Sequence, residues 1–415
     1  MHMAAHVLRI GASGLLTLLL AGLTAWFGPA ALATTTRATP TSATPTSATS
    51  ATSATTILPA GGRAARSQPT YPYNFSTIAW TGHDSVIAAT DSHGDLYYFW
   101  EAAGSTTWHR QLVAKGTKEV AYTKPAITWT GHGVGIAVVE GSAGLAYFFQ
   151  PSGSSKWKYK FVAFIPEPRT PSLTTAANGT VLIGEDSKEG KLFAFEQPAG
   201  STVWAGELIS SGVFGNCSVA TAPDGTNTYL GLMTAVSGGT LYFWWSVLGT
   251  TSWNQETIAS AGPGVSYAGG SVIATSNDVL VTAATTAGAV DFWSQTIGGT
   301  GWTGQTVAAP GSGGAYSNPG LAWNGAEALT NRFYFIAATD HSGNVKFWWR
   351  YSPNPPWYPE KVATAGKQAA YENVGISVTK TSTILTAINR KPGNVIYWYQ
   401  PYGTAPWHKQ QVAKG

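Results

Sequence analysis

The segment Gly94-Asp-Leu-Tyr-Tyr-Phe-Trp100, with Gly104-Ser-Thr-Thr-Trp108 and Leu112-Val-Ala114 behind it, decides how this chain folds. The pattern returns six times. Its later copies open at Gly144, Gly190, Gly239, Gly288, Gly343 and Gly393, and close at Trp157, Trp204, Trp253, Trp302, Trp357 and Trp407. The opening glycines are 50, 46, 49, 49, 55 and 50 residues apart. A period of this length marks a solenoid, a propeller or an array. Each unit holds four β-like runs. In the second they are Ala126-Ile-Thr-Trp129, Val134 to Val139, Leu145 to Phe149 and Trp157 to Val162. Gly, Ser, Asn and Pro punctuate between them, and no helix-period segment of any length intervenes. Four short strands per unit is the mark of a propeller blade. The expected fold is all-β: a seven-bladed β-propeller with four antiparallel strands per blade.

The third strand of each unit is apolar on both sides. Positions two and four past the glycine are apolar or aromatic in nearly every unit. Position five is aromatic in all seven: Phe99, Phe149, Phe195, Trp244, Trp293, Trp348 and Trp398. Side chains alternate along a strand, so both faces of this one must be covered, which packing between neighbouring blades achieves. Burying one such ring removes about 150–250 Å² from water, worth roughly 4–6 kcal/mol as an upper bound. These rings are therefore expected to be structural. The inner-strand Trp80, Trp129 and Trp323 are expected to pack likewise.

Working outward, the blades span 73–117, 122–165, 168–212, 214–262, 267–311, 316–366 and 371–415. The units are complete from first strand to fourth. Closure should come from blade one packing on blade seven, with no strand shared between the ends. Residues 1–33 read as a secretory signal: a weakly basic start, an apolar run from Gly14 to Phe27, and Ala31-Leu-Ala33 before a cleavage point. The run is short for a membrane span of about 20 residues, with an uncleaved anchor as the alternative; no later segment is apolar for long enough to cross, so no membrane association is expected after cleavage. Residues 34–70 are Thr, Ala, Ser and Pro with a crude repeat. Such a segment has little to bury and reads as a disordered linker.

The 415 residues carry 24 basic and 20 acidic side chains. All four excess positives, Arg9, Arg37, Arg63 and Arg66, precede residue 70, which leaves 20 of each sign from Tyr71 onward. A neutral body lacks the clustered basic face of a nucleic-acid binder. The single cysteine, Cys217, excludes an internal disulfide and reads as a small buried residue. No Gly-rich phosphate loop or nucleophile elbow is present, and His83, Asp84 and His132 lack ligand spacing for a metal. No cofactor is expected.

Two features map to the face formed by the loops between blades and the turns between second and third strands. A tyrosine opens the inner strand in five units: Tyr73, Tyr122, Tyr267, Tyr316 and Tyr371. Phe214 and Pro168 take its place in the fourth and third. Polar residues fill the turns: Asp91 with His93, Glu140, Glu185 with Asp186, Asp340 with His341, and Asn389 with Arg390. Aromatic platforms beside fixed donors and acceptors suit a sugar. The plainer alternative is that the tyrosines tie loops together while Asp and Asn make turns. Two facing carboxylates at this mouth would instead point to a glycosidase or lyase. However, the turns before each closing Trp lack the Asp of sialidase-type boxes.

The seven Gly-x-hydrophobic-aromatic strands with their closing Trp resemble the seven-bladed propeller lectins of the Photorhabdus lectin type. They resemble tectonin-like and fungal fucose-lectin propellers more loosely. The resemblance covers 71–415 and is one of blade number, period and the aromatic strand. It implies several similar sugar sites, often for fucose or O-methylated sugars. Kelch repeats fit less well, because their Gly-Gly doublet does not recur. The expectation from sequence is a secreted, non-enzymatic, multivalent carbohydrate-binding propeller whose partners are glycans or cell-surface polysaccharide. A protein-binding or wall-associated scaffold is the third reading.

Overall fold

The computed structural model describes residues 71–415 apart from 143, 224–228, 311–313, 326–332, 352–355 and 403–405. The expected secretory signal over 1–33 and the expected linker over 34–70 lie outside the described residues. Seven four-stranded antiparallel sheets follow one another, each with its strands paired in chain order. The first blade runs Tyr73–Trp80, Asp84–Asp91, Leu96–Ala102 and His109–Ala114, and the last runs Tyr371–Val378, Ser382–Asn389, Asn394–Pro401 and His408–Ala413. Each blade is whole, as the complete units require.

The order of residue sizes along a blade follows from its wedge shape. Second strands lie where blades converge and are almost wholly buried. They use small residues such as Ala88, Ala89, Ala137, Ala283, Ala337 and Ala387. Third strands lie where the gap widens and fill it with rings, among them the fully buried Phe99, Trp244 and Trp398. Fourth strands form the exposed rim.

One joint is repeated around the ring. The inner-strand tyrosine N–H donates to the carbonyl of the preceding blade's opening glycine: Tyr122 to Gly94 at 2.9 Å, Tyr267 to Gly239 at 2.8 Å and Tyr371 to Gly343 at 3.0 Å. Tyr73 makes the same bond to Gly393 at 2.9 Å, so blades seven and one meet as the other tyrosine-led joints do. The glycine is required twice over. Gly288 has φ +90°, and a Cβ there would lie 2.1 Å from the Ala315 backbone.

The closing tryptophan makes the second joint. Its ring stands edge-on to an aromatic of the preceding blade, as in Tyr98–Trp157, Phe243–Trp302 and Phe347–Trp407, and in Tyr397–Trp108 across the closure. Its indole N–H donates to a Gln or Glu in the preceding blade's fourth strand. Trp157 and Gln150 both donate to Gln111, Trp302 and Gln295 to Glu256, and Trp407 and Gln400 to Glu360. Trp253 uses Glu207 and Trp108 uses Gln410, while the Gln305 oxygen serves Trp357 and the buried Arg350 once its amide is turned to face these donors. This acceptor lies three residues after each closing Trp, a Trp-x-x-Gln/Glu signature in six of the seven units. The second unit has Lys160 instead, and the indole nitrogen of Trp204 is buried without a partner.

One expected position moves. Counting from Gly144 places Phe149 with the ring of position-five aromatics, but Phe148 takes that place, edge-on to Tyr122. In this blade Leu145, one residue past the glycine, pairs with Ala163 as Leu96 pairs with Ala114 two past its own. Phe149 is half-buried.

Candidate functional sites at the channel mouth and the blade rims

The loops between blades and the turns between second and third strands share one face. Ser92 N–H bonds to Pro72 and Gly141 N–H to Ala121 there. The five tyrosines stand at this end with their rings between strands. Tyr73 lies edge-on to Phe99, Tyr122 to Phe148, Tyr267 to Trp293, Tyr316 to Trp348 and Tyr371 to Trp398. Four are buried and Tyr316 is half-buried. Phe214 makes the same contact with Trp244, so the contact is made by the ring without the hydroxyl. At Tyr122 and Tyr371 the hydroxyl meets a polar side chain. Tyr122 donates to Glu140, which also accepts from Tyr159, and Tyr371 accepts from Lys409. Burial pushes the phenol of Tyr122 up to about 12, with the Glu140 charge adding to the effect.

Asp91 and Asp340 are buried turn caps. The Asp91 carboxylate accepts the N–H groups of His93 and Asp95, and that of Asp340 accepts both nitrogens of Asn344. Burial still pushes Asp91 up from the usual carboxylate range, against those two bonds. His93 and His341 are exposed on the turns, and His93 stacks on Tyr71.

The mouth itself is lined by residues that sequence reasoning missed. Two places after each opening tyrosine or its substitute stand Phe75, Lys124, Thr170, Asn216, Gly269, Asn318 and Asn373. Most inner strands shift register here, through a bulge. Lys124, Asn216, Asn318 and Asn373 adopt φ of 52°, 50°, 44° and 55°. Asn tolerates this left-handed conformation better than other side chains. Asn216 and Asn373 each donate to a backbone carbonyl of the next blade, Ala268 and Asn74. The available signal was Asn recurring inside an apolar strand. A cavity of about 610 Å³ opens inside this ring and includes Lys124, Glu167 and Arg169 in its wall.

Beside that cavity sits a carboxylate out of place. Glu185 is fully buried at a position held by Thr90, Val139, Val236, Ala284, Thr339 and Ile388 in the other blades. Arg169 Nε lies 3.2 Å from it, and neither carboxylate oxygen has a well-directed hydrogen bond. Burial raises its pKa to about 7 against the pull of Arg169 and Lys124. Its neighbour Cys217 is a buried free thiol that burial pushes far up, an unreactive state.

A second set of surfaces lies at the outer end of the third strands, toward the opposite face. Here the position six past the opening glycine carries the half-buried rings Trp100, Trp245, Trp349 and Tyr399, with Phe149 equivalent in the second blade. Three of them stack on the first residue of the fourth strand: Trp100 on His109, Trp349 on Tyr358 and Tyr399 on His408, with centroids 5.2, 4.7 and 4.8 Å apart. His109, Tyr358 and His408 are exposed. The Trp349 N–H is fixed by Glu360 at 2.8 Å. In blade three the ring is replaced by Glu196, which accepts from Gly249 N–H in the next blade.

No protein-family model and no curated protein matches this chain. Solved structures do. A fucose-specific lectin from Aleuria aurantia, described as a six-bladed β-propeller, is 13% identical; the match covers 72% of this chain and 99% of that one, with a TM-score of 0.48. AofleA from Arthrobotrys oligospora is 12% identical over 71% of this chain and 88% of its own, with a TM-score of 0.47. A structure from a study of two prolyl endopeptidases is 13% identical and has a TM-score of 0.51; the match covers 82% of this chain and 50% of that one. The likeness is one of fold. This chain has seven blades where the Aleuria lectin has six.

Proposed function

We propose that this protein is a carbohydrate-binding propeller with several similar weak sites, acting outside the cell without catalysis. The observation that carries the reading is the repeated rim pair: a half-buried ring stacked on an exposed ring of the next strand. Sugar C–H faces settle on such rings, and neighbouring fixed polar groups take the hydroxyls. Repetition around the ring supplies avidity where each site alone is weak. The mouth residues Asp91, His93, Asp340 and His341 belong to the same proposal as a second, polar face. The opening tyrosines, Tyr73, Tyr122, Tyr267, Tyr316 and Tyr371, contribute by holding that face in place. The carboxylates of Asp91 and Asp340 are committed to turn N–H groups and that of Glu140 to two tyrosine hydroxyls, which favours binding over acid-base chemistry.

A glycan array probed with the purified protein tests this. Binding that weakens in Trp100→Ala, Trp349→Ala and Tyr399→Ala, and falls furthest in the triple variant, is expected. No binding at high glycan density, or binding unchanged in the triple variant, would remove the reading.

A further inference from the structure

The ring of residues at the channel mouth has one member that its backbone does not explain. Three of the left-handed positions are Asn, which pays little for that conformation. The fourth is Lys124, at φ 52°, for which the same backbone is strained. The strain turns a flexible cation into the mouth. Among the described residues Lys124 makes no ion pair, and it lines the same cavity as Arg169; burial lowers its pKa, the Arg169 charge adds to that and Glu185 opposes it. Arg169 engages Glu185 through Nε alone and is itself 44% exposed at the cavity wall. Two cations thus approach each other on one side of the opening. The nearest carboxylates are Glu185, buried behind Arg169, and Glu167, exposed at the lip. Asn216, Asn318 and Asn373 line the same cavity of about 610 Å³ as neutral hydrogen-bonding groups. Like charges held together beside neutral polar groups form a receptor for an anion that also carries hydroxyls.

We propose that the channel mouth binds a sugar acid, with Lys124 and Arg169 holding its carboxylate and the Asn ring meeting its hydroxyls. This site is separate from the rim pairs in both residues and face. The anion rests on Lys124 and Arg169 alone; that a sugar carries it rests on the carbohydrate reading above.

The decisive variant is Lys124→Asn, because blades four, six and seven already carry Asn in this backbone conformation. It keeps the fold and relieves the strain. Titration calorimetry of the full chain uses sodium glucuronate, glucose, acetate and sulfate. Glucuronate is expected to bind at least about tenfold more tightly than the other three. Lys124→Asn should weaken glucuronate by about tenfold or more while its Tm rises, a combination that general damage cannot produce. Glu185→Gln, which frees Arg169, should tighten it. Glucuronate binding without any neutral glycan bound at the rims would support the acid site and sink only the rim reading. Neutral glycans bound without glucuronate would do the reverse. Unchanged affinity in Lys124→Asn, or glucose or sulfate binding as tightly as glucuronate, would overturn the inference.

Discussion

Lys160→Gln should stabilise the protein. In six units the third residue after the closing Trp is Gln or Glu, and five of these accept an indole N–H in the next blade directly, with Gln305 joining once its amide faces the donors. Lys160 breaks the series and leaves the Trp204 nitrogen buried and unpaired. An unsatisfied buried donor costs about 1–3 kcal/mol, and a hydrogen bond formed there returns about 1 kcal/mol net. Lys160 is exposed, so its removal sacrifices little packing. For a domain of this size the gain corresponds to a rise in Tm of about 2 °C. Differential scanning calorimetry at fixed scan rate measures it. Residues 160 and 204 should be coupled. In a Trp204→Phe background, which keeps an aromatic ring but removes the donor, Lys160→Gln should have no effect. An equal gain in both backgrounds, or a loss in the single variant, would refute the account of the joint.

Stability should fall as pH rises from about 5 to 8. Burial raises Glu101 and Glu185 to about 7, so between their unfolded values and that point the folded state binds more protons than the unfolded one. Each contributes at most about 3 kcal/mol, and Glu101→Gln and Glu185→Gln should each flatten a plot of Tm against pH. Gly288→Ala should cost well over 1 kcal/mol, since a Cβ meets backbone at a positive φ. Gly104→Ala, at φ +79° with open space around it, should cost less in the same melt. Tyr122→Phe should leave folding almost intact, because Phe214 fills the equivalent place, whereas Tyr122→Ala should destabilise by about 3–5 kcal/mol in denaturant titration.

The fold was legible because its determinants are periodic. Each opening glycine, aromatic strand and closing Trp recurs, and a periodic constraint can be read without knowing its partner. The Trp-x-x-Gln/Glu joint was equally periodic, but its meaning depends on a neighbour about 46 residues away. The site was less legible for the same reason. A tyrosine beside a polar turn looks alike in sequence whether its ring faces solvent or, as at Tyr122, stands against Phe148. Lys124 and Glu185 were harder still, since each departs from its repeat at a single position. Their significance appears only once the register aligns Lys124 with Asn216 and Glu185 with Val139.

The central claim is multivalent recognition by the rim pairs. The direct measurement is the calorimetric stoichiometry of the best-bound neutral oligosaccharide from the array. More than one site per chain is expected, with the count reduced stepwise by Trp100→Ala, Trp349→Ala and Tyr399→Ala. A single site per chain, or a count untouched by all three changes, would contradict it.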